Sequence, residues 1–229
     1  NGSLAFVMEL SQAGGIPSPV YSTCWGGVSG ILHNTATGIA VDAAGKVYMT
    51  GNTFVNGPAF PIVGPPAAAY QTMGGSSEGA YVMKIAALGA SVLYSMFLGA
   101  DSGITNANAI AIDAAGTAWV AGRTTSNGWD AATSGKFTGH FAASRTAGVD
   151  PDAFVVQVNA AGTDLNYATY INGNNSEEAT SIKLNNSGAA GYHVFVAGWT
   201  VSGTDFPSTA YLLLPTTGAG SRAMVYQKS

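Results

Sequence analysis

The chain has 229 residues, of which 47% are hydrophobic, only 9% are charged and 31 are glycine. Its 8 basic and 12 acidic residues are spread thinly, for a formal net charge of -4; no basic cluster suits nucleic acid, no polybasic run suits an anionic membrane surface, and no apolar stretch approaches the roughly 18 residues of a membrane span. A chain of this length can bury a sizeable core and lacks the low hydrophobicity and high charge of disorder, so it is expected to fold beneath a coat of small neutral polar groups.

In chain order the first segments are AFVMEL (5–10) and VYSTCWGG (20–27), followed by GIAVDAAGKVYMTGNT (38–53). Each is short, alternates apolar with small or polar residues, and is bounded by Gly, Asn, Asp or Pro, which predicts strands joined by turns. After a long excursion (54–79) the same series returns as AYVMKI (80–85), LYSMFLGA (93–100) and AIAIDAAGTAWVAGRT (109–124). A second excursion (125–151) leads to DAFVVQV (152–158), NYATYING (166–173) and the looser SIKLNNSGAAGYHVFVAGWT (181–200). A third (201–221) precedes AMVYQK (223–228).

The anchors Tyr21, Tyr94 and Tyr167 lie 73 residues apart, and Asp42, Asp113 and Asn185 lie 71 and 72 apart. Several segments recurring in one order at one period define a repeat protein. The approximate units are 1–76, 77–148 and 149–221, with 222–229 opening a further one. Four strands per unit and short turns predict an all-β chain of propeller-type repeats, about three four-stranded blades. Three blades are fewer than the roughly four to eight of a closed propeller, so the array is expected to be open or part of a larger propeller or assembly. No helical period is sustained.

The DAAG turns fit type I turn chemistry, with Asp capping a backbone amide and Gly tolerating positive φ. A turn needs its Asp in each copy, whereas a catalytic acid does not, and the third copy carries Asn185. Alternation places Val47, Met49 and Val120 on the face opposite Tyr48 and Trp119. Gly51 and Gly122 are expected where a side chain would crowd the neighbouring blade.

These segments resemble the SBBP-type bacterial β-propeller repeat, whose unit runs as a DAFV-type strand, an LxYSTYLGG strand, an AxxIAVD strand and a GNAYVTGxTxSxDFP segment. A looser likeness to NHL-type propeller repeats rests on IAVDxxGxVYV. The resemblance covers nearly the whole chain and is weak in 125–151. It implies the IAVD strand innermost, then the VYMTG, AFV and YST strands outward. It also implies a bacterial, often exported protein with a structural or interaction role and no catalytic set to carry over.

The chemistry-bearing residues are sparse. His33, His140 and His193 occupy non-equivalent positions and do not converge as metal ligands must. No GxSxG elbow marks a nucleophile. NGNNSEE (172–178) offers oxygens from Asn174, Glu177 and Glu178 as a weak calcium candidate, but matches no EF-hand spacing and reads first as a solvated blade-edge loop. DPD (150–152) reads as a turn before a strand. Trp119 and Trp25 align with core positions. Trp129, in a long loop, and Trp199, aligned with Asn52 and Arg123, are the candidate contact residues. Cys24 aligns with Phe97 and Tyr170 and reads as a buried packing residue; alone, it forms no intrachain disulfide.

The expectation is a non-enzymatic extracellular structural or interaction module, with a protein partner or self-assembly and no cofactor. The alternatives are a carbohydrate-recognition or carbohydrate-active propeller and a homopolymeric surface filament. Low charge and Thr/Asn/Gly richness favour export to the cell surface, periplasm or medium. The first residue is Asn rather than Met, which reads as a processed, trimmed or excerpted chain.

Overall fold

A computed structural model describes residues 2–26, 33–54, 60–64, 78–99, 103–126, 150–185, 193–202, 206 and 222–228, the last segment as backbone alone. The long excursions, with Trp129 and His140, and the third-copy turn after Asn185 lie mostly or wholly outside these residues.

The described chain is all-β, with thirteen strands: β1 (Ala5–Ser11), β2 (Ser18–Trp25), β3 (Asn34–Val41), β4 (Val47–Thr53), β5 (Gly79–Ile85), β6 (Val92–Leu98), β7 (Thr105–Ile112), β8 (Ala118–Thr124), β9 (Asp152–Val158), β10 (Leu165–Ile171), β11 (Glu177–Asn185), β12 (His193–Thr200) and β13 (Arg222–Lys228). They form four antiparallel sheets, none closed. Sheet I is β1-β2, sheet II β3-β4-β5-β6, sheet III β7-β8-β9-β10 and sheet IV β11-β12-β13. Each repeated segment is one strand: the AFV series is β1, β5, β9 and β13, the YST series β2, β6 and β10, the IAVD series β3, β7 and β11, and the VYMTG series β4, β8 and β12.

The sheets stack face to face in chain order, and alternation along each strand supplies apolar side chains to both faces. Val7, Val47, Met49, Tyr81, Met83 and Ile85 fill the space between sheets I and II. Tyr48, Val82, Met96, Val120, Phe154 and Val156 fill that between II and III. Trp119, Val155, Tyr167, Ile182 and Val196 do the same between III and IV. Tyr48 and Trp119 thus point away from Val47, Met49 and Val120, as the alternation predicts.

The DAAG turns close as expected. Asp42 Oδ1 accepts the amides of Ala44 and Lys46, both at 2.9 Å, and Gly45 has φ 75°. Asp113 does the same for Ala115 and Thr117, with Gly116 at φ 77°. The turn between β9 and β10 runs the same chemistry with a neutral cap: Asn159 Oδ1 accepts the Thr163 amide at 2.9 Å. The side chain's role here is to accept an amide, and it needs no charge to do so.

The repeated glycine of the VYMTG strand has a different cause from the one expected. A Cβ on Gly51 would sit 1.8 Å from the carbonyl oxygen of Thr35, and one on Gly122 would sit 1.9 Å from that of Asn106. Both carbonyls belong to the adjacent strand of the same sheet, not to a neighbouring sheet. There the first strand carries a bulge, between Ala36 and Gly38 in β3 and between Ala107 and Ala109 in β7. The third copy has its bulge between Ala179 and Ser181, opposite Gly198. A bulge presses one carbonyl towards its partner strand, and only a residue without Cβ leaves room.

Candidate interaction surface

The joints between sheets recur as strictly as the strands. The bulge residue reaches across to the next sheet: Thr37 Oγ1 donates to Ala107 O at 2.6 Å, and Asn108 Nδ2 donates to Ala179 O at 2.9 Å. Tyr21 and Tyr94, of the first two YST strands, each lie over a turn glycine of the next sheet. A Cβ on Gly89 would meet the Tyr21 ring at 2.6 Å, and one on Gly162 would meet the Tyr94 ring at 2.2 Å. The first amide of each IAVD strand donates back to the preceding sheet, as Asn34 N to Ser3 O, Thr105 N to Glu78 O and Glu177 N to Pro151 O.

Against this pattern the leading end stands out. Among the described residues, sheet I holds the two outer strands of a four-stranded unit, and the inner edge of β1 pairs with no strand. Ile39 on β3 is 57% exposed, whereas its equivalents Ile110 and Ile182 are 7% and 2% exposed against the preceding sheet. Phe6 on β1 is 67% exposed, whereas its equivalents Tyr81 and Phe154 are fully buried. Met8, Leu10, Val20 and Val41 are exposed with them. Phe6, Val7, Met8, Ala36, Gly38 and Ile39 line a groove of about 300 Å³ between β1 and β3.

The trailing end is built otherwise. On the outward face of β11, Ser181 and Lys183 take the places of Gly38 and Ala40 in β3 and of Ala109 and Ala111 in β7. Trp199, on β12 opposite Glu178, is half-buried. Its equivalents make contacts to the next sheet: Asn52 Oδ1 accepts the Ala107 amide at 2.8 Å, and Arg123 Nη1 lies 3.3 Å from Glu178 Oε2. Trp199 itself holds the strand position that Asn52 and Arg123 hold in the earlier copies.

The acidic candidates are engaged within the protein. Glu177 is fully buried, which corrects the reading of 172–178 as a wholly solvated loop. Its Oε1 accepts the hydroxyls of Thr200 at 2.6 Å and Ser202 at 2.5 Å, and its Oε2 accepts the Gly173 amide at 2.8 Å. Glu178 accepts Asn108 Nδ2 at 2.8 Å besides facing Arg123, and Asn174 is exposed. Among the described residues no group of three or more His, Cys, Asp or Glu side chains is placed to hold a metal. His33 Nδ1 meets Ser3 Oγ at 3.2 Å, and the His193 ring lies 6.4 Å from that of Phe195.

A second, polar cleft between sheets II and III is lined by Asp42, Lys46, Tyr48, Lys84 and Asp113. Its two carboxylates hold their own turns, as described above. Lys84 Nζ lies 4.8 Å over the Tyr48 ring and donates to Ala160 O at 3.3 Å. Burial lowers the Lys84 pKa, and burial with the nearby Asp42 charge pushes the Tyr48 phenol up to about 12. These groups lock a joint together.

Cys24 corrects its expected role. Its equivalents Phe97 and Tyr170 are buried, but Cys24 is exposed, because among the described residues no sheet covers the face of β2 that carries it. Sequence alignment transfers the strand position but not the neighbour that buries it. Missed altogether was the bulge residue; Thr37, Asn108 and Thr180 read as ordinary polar strand positions, and only their common place before the small residue of each IAVD strand hints at more.

No protein-family model matches the chain, and no curated protein matches it either.

Proposed function

We propose that this chain is a propeller-type repeat array, of the SBBP kind it resembles, and works as a non-enzymatic structural and interaction module through its open sheet end. Each four-stranded sheet is a blade in this reading, with the IAVD strand innermost. The observation that carries it is the contrast at one repeat position, where Ile110 and Ile182 are sealed by a preceding sheet and Ile39 is bare. The thin charge and the Thr/Asn/Gly richness support a place at the cell surface, in the periplasm or outside the cell.

A dye that reports apolar surface tests this. Monomer in dilute solution should bind bis-ANS, and the triple change Phe6→Ser, Leu10→Ser, Ile39→Thr should abolish most of that binding without shifting the unfolding midpoint. An assembled particle that excludes the dye until it is diluted supports the reading equally. A monomer that ignores the dye overturns it. So does a glycan array that lights up and goes dark on Trp129→Ala or Trp199→Ala, which would establish the carbohydrate alternative.

A further inference from the structure

We infer that a pocket between the outer strands of sheets I and II binds a small neutral aromatic molecule that carries one hydrogen-bond acceptor. This goes beyond the surface reading above and does not rest on it.

The pocket has a volume of about 230 Å³ and is lined from sheet I by Val7, Thr23 and Trp25, and from sheet II by Met49, Met83 and Val92. Its floor is closed, since Val7, Met49 and Met83 are all buried. The next joint shows why the space is there. The same six strand positions between sheets II and III carry Val82, Met96, Leu98, Val120, Val156 and Leu165, and all six are buried in one continuous core. Equivalent strands pack shut in one joint and leave room in the other, so residue choice opens the pocket. Two positions have shrunk, Met96 to Thr23 and Leu165 to Val92, and both lie on outer strands. Thr23 is exposed where Met96 is fully buried. The strand β2 that carries Thr23 pairs with the edge of β1 away from the leading-end groove, so the pocket owes nothing to the unpaired edge.

The walls state what fits. No lining residue is charged, and an unpaired charge is costly to bury, so the occupant is neutral. Thioethers make favourable contacts with aromatic rings and adapt to their shape, and the indole of Trp25 prefers an offset or edge-on ring. An apolar cavity of about 150 Å³ takes benzene; this larger pocket takes one ring with a short substituent. Trp25 Nε1 is buried and has no hydrogen-bond partner among the described residues. A buried donor left unpaired carries its full desolvation cost, and indole nitrogen only donates. A carbonyl or ether oxygen on the ring satisfies it.

Two probes test this on the full chain by calorimetric titration and saturation-transfer NMR. Acetophenone is a single ring with one carbonyl, and ethylbenzene is the same frame without it. Acetophenone should bind saturably at millimolar concentration or below. Thr23→Met restores the residue of the next joint; it should abolish binding of both probes and raise the unfolding midpoint by a few degrees, as cavity filling does. Val92→Leu should weaken both probes. Trp25→Phe should weaken acetophenone about fivefold, as loss of one hydrogen bond does, and leave ethylbenzene within about twofold.

No saturable binding of acetophenone overturns the proposal, and so does binding that survives Thr23→Met. If Thr23→Met lowers the unfolding midpoint instead, Val92→Leu decides, and unchanged binding there overturns the site. Equal weakening of both probes by Trp25→Phe overturns the role of the indole N–H.

Discussion

At the joint between sheets II and III, Ile110 and Phe154 sit under Tyr48, Val82 and Met96, and the bulge, the tyrosine and the strand amide each find their counterpart across the gap. At the leading end the same positions carry Ile39 and Phe6, residues of the same kind, and both face outwards. The local sequences scarcely differ. What differs is whether a neighbouring sheet is present, so burial in this molecule is a property of the stack and not of the strand.

The sharpest way to break that comparison is to truncate one position in both settings. Phe154→Ala should cost about 3–5 kcal/mol, the range for emptying a buried aromatic site, whereas Phe6→Ala in the monomer should stay within about 0.5 kcal/mol. Urea unfolding of the two variants measures both, and equal losses would mean that sheet I is covered in solution.

A smaller and graded effect should come from alkali. Burial raises the phenol pKa of Tyr81 and Tyr94 and, with Asp42, that of Tyr48 to about 12. The folded state therefore holds protons that the unfolded chain releases near pH 10. Stability is full below that value and falls as pH rises towards 12 and beyond. Tyr94→Phe should flatten the fall. Tyr21, in sheet I, is raised by its slighter burial and by Glu9, and Tyr21→Phe should change the profile least.

The smallest of the three concerns the bulge. Asn108→Ala removes the donor to Ala179 O and Glu178 and should cost about 1.5–3 kcal/mol, as a lost hydrogen bond to a charged group does. Thr180→Ala, one joint later, should be near neutral in the monomer.

Much of this architecture could be read before any coordinates. The repeated segments around Tyr21, Tyr94 and Tyr167 and the alternation around Val47, Tyr48 and Met49 gave strands and faces, because strand periodicity and turn chemistry are local. Gly51 was recognised as crowded but assigned the wrong neighbour, since nothing in TGNT announces a bulge on the strand beside it. Cys24 and Phe6 were unreadable in principle: each has the residue type of a core position, and only the missing sheet exposes it. Glu177 looked like a loop acid because the hydroxyls of Thr200 and Ser202, over twenty residues away, are invisible in NGNNSEE. Trp199 was singled out by its alignment with Asn52 and Arg123, and those two residues bridge earlier joints.

The seat of Tyr94 on Gly162 has a consequence for how such a chain can change length. Tyr21 and Tyr94 are 73 residues apart, and so are Gly89 and Gly162. A gene duplication of one whole period hands every new tyrosine a glycine to rest on, wherever in the period it starts. The excursions between sheets differ in length from copy to copy, so what growth must preserve is the pairing of a tyrosine with its glycine and not a residue count.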